Sequence, residues 1–155
     1  MMDASRIVDH LYQGSKPAKD DMAWVRGVFD VLVLSANEYQ PDVGGIKTIR
    51  VPLNDYSDSD ITDEEKMLAL VAGKEVAKEL DEGRDVLVTC VAGLNRSGLI
   101  SALALIHSKK HKMPPQDAVR TIRKARPQAL FNKSFTSYLK QFATSASGRQ
   151  RSRIG

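Results

Sequence analysis

Residues 85–108 read DVLVTCVAGLNRSGLISALALIHS, and three kinds of structure follow one another in them. Asp85 to Cys90 is an almost continuous apolar run, as expected of a central strand buried on both faces. Gly98 to Ser108 is apolar nearly all round, which assigns it to a helix inside the core. Between them lies a short loop at the carboxyl end of a strand, where α/β proteins bind ligands. A tight turn there aims successive backbone N–H groups inward as an anion nest, and the helix N-terminus adds its positive dipole end. Gly93 permits the unusual φ that such a turn needs. Arg96, six residues after Cys90, can fold over the same concavity and grip two anion oxygens at once. A thiol at the base of such a loop sits in cationic surroundings, which favour the thiolate a nucleophile requires. The plainer reading, a buried cysteine that only ends a strand, leaves the coincidence of Gly93, Arg96 and Ser97 at these spacings after Cys90 to chance.

Outward from this segment, short strands alternate with helices. Val28 to Ser35 and Lys47 to Leu53 are short and β-branched, hence strands. Thr62-Asp-Glu-Glu65 is a capping box that opens a helix with Leu68, Ala72, Val76 and Leu80 on one stripe, closed near Gly83. Pro114 to Arg126 forms a further helix with Pro115 in its first turn. Phe135, Leu139 and Phe142 give a last helix one buried stripe. Trp24 and the Phe residues read as core. This alternation predicts a single-domain α/β fold, a mixed central sheet with helices packed on it.

Composition narrows the class. At 155 residues the chain suits one domain with one core. A single Cys excludes a disulfide framework and a multi-thiolate zinc site, which places the protein in a reducing, cytoplasmic compartment. No apolar run is long enough to span a bilayer, and the N-terminus lacks the apolar stretch of a signal peptide. Net charge is +4 and the isoelectric point about 9.2. Part of that excess lies in residues 147–155, which read as a disordered basic tail after a domain spanning 1–146. His10, His107 and His111 are scattered, so no metal site is expected. Lys109, Lys110, Lys112, Arg120, Arg123 and Lys124 read as solvated helix faces.

The loop CVAGLNRS resembles the C-x5-R-[S/T] signature of the cysteine-based protein tyrosine phosphatases, and the chain's short length resembles their dual-specificity branch. Ile7 to Ser15 is similar to that family's opening strands. Val51-Pro-Leu-Asn-Asp55 is similar to its acid loop, and Ala125-Arg-Pro127 with Asn132 and Phe135 to its C-terminal helices. The resemblance implies a dual-specificity-phosphatase-like fold. It also implies hydrolysis of phosphomonoesters on phosphotyrosine, phosphoserine or phosphothreonine proteins, without metal or cofactor.

It further implies roles for residues. Cys90 is the nucleophile, and Val91, Ala92, Gly93, Leu94, Asn95 and Arg96 hold the phosphate. Ser97 assists the leaving sulfur and also suits a cap for the following helix. Asp55 is the general acid, with Asp58 as its alternate. Arg126 offers a second anion contact. Two positions depart from the pattern: Thr89 stands where His is usual, with one hydroxyl to donate into the loop, and Phe131 stands where Pro usually precedes Asn132. Gly93-Leu-Asn-Arg-Ser-Gly98 is also similar to the loop of RNA 5′-triphosphatases, which tend to lack the acid. That leaves an RNA 5′ end as the alternative substrate, and a catalytically weak phosphate-binding module as the alternative class.

Overall fold

The structure, a computed structural model, describes residues 2–55 and 59–154, with side-chain environments up to Ala143. Asp58, the alternate acid, lies outside the described residues, as do the side chains of the basic segment from residue 147.

Five strands, β1 (Ala4–Val8), β2 (Leu11–Gly14), β3 (Val31–Ala36), β4 (Lys47–Leu53) and β5 (Val86–Thr89), form one sheet in the order β1-β2-β5-β3-β4. Only β1 runs antiparallel to its neighbour, so the sheet is mixed. β5 is central, paired with β2 on one side and β3 on the other. Its apolar run follows from that position. Val86 and Val88 enter the larger core with Val31 and Val33 of β3, while Leu87 joins Leu32 and Leu34 on the opposite face. With both faces covered, the three residues that enter the two cores are apolar, and the polar Thr89 at the strand's end is buried with its hydroxyl bonded to a main-chain carbonyl.

Helix α1 (Met22–Val28) follows a 3₁₀ turn at Lys19–Asp21 and covers the smaller face through Val25. Val28 closes this helix rather than opening a strand, so β3 starts three residues later than its β-branched composition predicts. Trp24 and Tyr12 meet Phe29 edge-on at 5.4 and 5.1 Å, a geometry that favours aromatic pairs. The other face carries α2 (Asp63–Asp81), α3 (Arg96–His107), α4 (Pro115–Ala125) and α5 (Lys133–Ile154). The expected capping box opens α2: Glu65 N donates to Thr62 Oγ1 at 3.1 Å and Thr62 N to Glu65 Oε1 at 3.3 Å. Glu65 Oε2 also accepts from Asn54 N at 2.9 Å, which ties α2 to the chain just after β4. Gly73 lets α2 and α3 cross closely, since a Cβ there would meet Leu103 Cβ at 2.5 Å. No helix among the described residues is long and apolar enough to cross a membrane.

Candidate active site

The parallel strands β5, β3 and β4 end on one edge of the sheet, and the residues just past each end line one cavity of about 520 Å³. Cys90 to Ala92 and Leu94 to Arg96 follow β5, Asn37 and Glu38 follow β3, Asn54 and Asp55 follow β4, and Phe131 comes from the turn before α5.

The loop backbone is held from outside. Val91 O accepts from Lys16 N at 3.2 Å, and Leu94 O from Leu130 N at 3.2 Å. Ala92 O accepts from Arg126 Nη2 at 3.3 Å. Gly93 O takes two donors, Arg126 Nε at 2.8 Å and Gln13 Nε2 at 3.0 Å. A trans peptide is planar, with its N–H opposite its C=O. Four carbonyls fixed outward therefore turn the amides of Ala92, Gly93, Leu94 and Asn95 toward the cavity side. Among the described residues none of these amides donates to a protein acceptor. Gly93 adopts φ +72°, and a Cβ on it would meet Gly14 C at 2.4 Å, so the loop crosses the end of β2 where only glycine fits.

Cys90 is buried at the base, with its Sγ 3.2 Å from Ser97 Oγ. Helix α3 starts at Arg96, two residues earlier than its apolar stretch predicts, so Ser97 lies in its first turn rather than at the cap. Asn95 holds the cap position, and its side chain makes no capping bond to the helix. It bonds instead to its neighbours across the cavity.

Arg96 is only 5% exposed. Its Nη1 donates to Glu38 Oε1 and to Leu53 O at 3.0 Å, and its Nη2 donates to Glu38 Oε2 at 3.1 Å. Nε is buried with no acceptor. A guanidinium has five N–H donors in a fixed plane. Three are engaged, which leaves the adjacent Nε–H and second Nη2–H as a free side edge able to take two oxygens. Burial works against the charged guanidinium, but the Glu38 bond and the negative charges of Cys90, Glu38 and Asp55 outweigh it and hold its pKa above the ordinary value. The same hydrogen bond from Arg96 holds the Glu38 carboxyl below its ordinary range.

Asp55 is exposed at the cavity rim. Its Oδ1 accepts from Asn132 Nδ2 at 2.8 Å and its Oδ2 from Asn95 Nδ2 at 3.1 Å. Asn95 Oδ1 in turn accepts from Asn132 N at 3.0 Å, and Asn132 Oδ1 from Phe135 N at 3.2 Å. The triangle joins the residues after β4, the loop after β5 and the start of α5.

Two expectations are corrected. Arg126 lies behind the loop, 8% exposed, and offers no second anion contact at the mouth. Beyond the loop carbonyls it donates to both oxygens of Asp3, at 3.1 and 2.8 Å, and to Ser5 Oγ at 3.0 Å. Thr89 does not donate into the loop; its hydroxyl goes to Val33 O at 2.7 Å on the adjacent strand. Glu38 and Gln13 have no sequence motif to announce them. The signal available for Glu38 is its place just past a buried parallel strand, on the same edge as the loop.

Comparison with known proteins agrees with this architecture. The chain matches the family described as dual specificity phosphatase, catalytic domain, over residues 11–145. Protein 123R of Invertebrate iridescent virus 6, named as a tyrosine phosphatase, is 27% identical over 145 residues, covering 91% of this chain and 92% of the relative. Human DUSP28 aligns with a TM-score of 0.76 at 20% identity, over 93% of this chain and 95% of that one, a likeness of fold. OH1 from the Orf virus, a tyrosine phosphatase described as having triple substrate specificity, aligns with a TM-score of 0.71 at 27% identity, over 92% and 87%.

Proposed function

Because the chain belongs to the dual specificity phosphatase family, a family of phosphoric monoester hydrolases, we propose that it dephosphorylates phosphoproteins through a cysteinyl-phosphate intermediate at Cys90. What supports this reading above all is the ring of outward-held carbonyls around Cys90, which frees consecutive amides beside the open Nε/Nη2 edge of Arg96.

The Cys90 thiolate attacks phosphorus in line, and an S–P bond forms as the P–O bond to the substrate hydroxyl breaks. The loop amides and Arg96 hold the equatorial oxygens, donors whose orientation is set before the substrate arrives. Asp55, in its protonated form, gives its proton to the leaving oxygen, then takes one from the water that attacks the intermediate. That second attack breaks the S–P bond, releases inorganic phosphate and returns the thiolate, to which the Ser97 hydroxyl donates. Glu38 acts through Arg96, fixing the guanidinium plane so that its free edge faces the loop. Asp55 held on the cavity rim by two asparagines favours a phosphomonoester over an RNA 5′-triphosphate, whose anhydride leaving group needs little protonation.

The test is hydrolysis of para-nitrophenyl phosphate and of phosphopeptides in the presence of a chelator, by the wild-type chain and by Cys90→Ser. Wild-type turnover that vanishes in the variant is expected. Undiminished turnover in Cys90→Ser overturns the cysteine mechanism, and a wild type active only on triphosphate-ended RNA overturns the substrate class.

A further inference from the structure

Phe131 is 63% exposed, although it was expected in the core, and it lines the cavity that holds Cys90. A large apolar side chain at a polar mouth needs a reason. Its backbone is held from both ends. Leu130, buried and at φ +60°, donates its N–H to Leu94 O, and Asn132 N donates to Asn95 Oδ1. Arg123 grips the turn from below, Nε to Ala129 O at 3.0 Å and Nη2 to Leu130 O at 2.8 Å. A positive φ on leucine is unfavourable, so this turn persists because its surroundings impose it, and it lifts the next side chain out to solvent. The two inner anchors are atoms of Leu94 and Asn95, within the loop assigned to the phosphate. The backbone that carries the ring is thus held next to that loop.

The cavity lining is mixed in character. Val91, Leu94 and Phe131 are its large apolar lining residues, among the polar Asn37, Glu38, Asn54 and Asp55. A phosphate seated in the loop and carried on a flat aromatic ring would bring that ring within reach of the exposed Phe131 beside the loop. A phosphate on a short aliphatic hydroxyl would reach little of it. We propose that Phe131 is a specificity-determining residue that packs against the aryl ring of phosphotyrosine, giving this chain a preference for phosphotyrosine over phosphothreonine. The inference rests on the phosphatase reading above and names its preferred substrate class.

The experiment compares wild type, Phe131→Ala and Phe131→Tyr, all full chain, on phosphotyrosine and phosphothreonine peptides of identical flanking sequence. Ring packing acts in the ground state and the transition state alike, so it appears in KM rather than kcat. From the usual strength of aromatic pairs, Phe131→Ala lowers the ratio of kcat/KM for phosphotyrosine over phosphothreonine about two- to tenfold. The change comes from a higher phosphotyrosine KM. Phe131→Tyr keeps the ratio, which separates loss of the ring from loss of the fold. Equal changes on both peptides overturn the inference and leave the phosphatase reading standing, as does an effect confined to triphosphate-ended RNA tested alongside a wild type active on both peptides. A wild type that hydrolyses neither peptide overturns both.

Discussion

Replacing Gly93 with Ala puts a methyl group where the backbone of β2 already runs. The new Cβ meets Gly14 C at 2.4 Å, Ser15 N at 2.6 Å and Gly14 O at 2.7 Å, against ordinary contacts that begin at 3.4 Å. Relief therefore needs a separation of about 1 Å, the difference between the closest of those values and an ordinary contact. The obstacle is main chain, paired between β1 and β5, and cannot swing aside as a side chain would. The residue also sits at φ +72°, which costs an alanine about 1–2 kcal/mol. Overpacking adds about 1–3 kcal/mol, so the variant loses about 2–5 kcal/mol in all. If the loop moves instead, the amides of Gly93 and Leu94 leave the phosphate position, and a shift of about 1 Å at a reacting centre lowers turnover about a hundredfold. Steady-state kcat/KM on para-nitrophenyl phosphate with urea denaturation on the same preparation separates the two routes. Activity within about threefold of wild type with stability unchanged to about 0.5 kcal/mol would refute the packing argument.

Three further outcomes follow from the same geometry. Asp55→Asn lowers kcat/KM on phosphothreonine peptides by about 10²–10⁴, the usual contribution of general acid catalysis; unchanged turnover there excludes Asp55 as the acid. Glu38→Gln removes one of two carboxylate acceptors and the charge from Arg96, which lowers kcat/KM about tenfold, whereas a rise in activity would mean that Glu38 blocks the arginine rather than orienting it. The hydrogen bond from Arg126, opposed by partial burial, holds the Asp3 carboxyl below its ordinary range. A depressed folded-state value means that the pair's stability is fully present above the unfolded pKa, about 3.9, and is lost as pH falls through the depressed value. Urea midpoints of wild type and Asp3→Asn therefore differ by a constant amount near neutral pH and converge as the solution turns acidic below about pH 4. A gap that persists unchanged through that window contradicts the pairing.

How much was legible beforehand depended on how local the cause was. The strand, loop and helix around Cys90 follow from a run of apolar residues and one Gly–Arg spacing, all within two dozen positions. The Thr62–Glu65 box is likewise a four-residue matter and appears where expected, while the helix after Cys90 differs only in starting two residues early. The strand expected from Val28 starts at Val31 because Val28 and Phe29 carry strand-like composition while the smaller core is covered by a helix that ends at Val28. Glu38, Gln13 and Asp3 reach the loop or its supports across 58, 80 and 123 positions, distances over which no periodicity carries information. Arg126 was placed near the loop by resemblance, but its direction depended on Asp3 and the carbonyls behind it. Phe131 looked like core by residue type, and only the left-handed Leu130 before it decides that it faces the cavity.

The central claim is that a covalent bond forms between Cys90 and phosphorus. Rapid acid quenching of wild type and Asp55→Asn during turnover of a phosphopeptide, followed by mass spectrometry of the Cys90 fragment, tests it directly. A phosphate group on Cys90 that accumulates and then decays with the kinetics of product release is the expected result. Full turnover with that fragment unmodified at every time, or with the phosphate on another residue, would contradict the account.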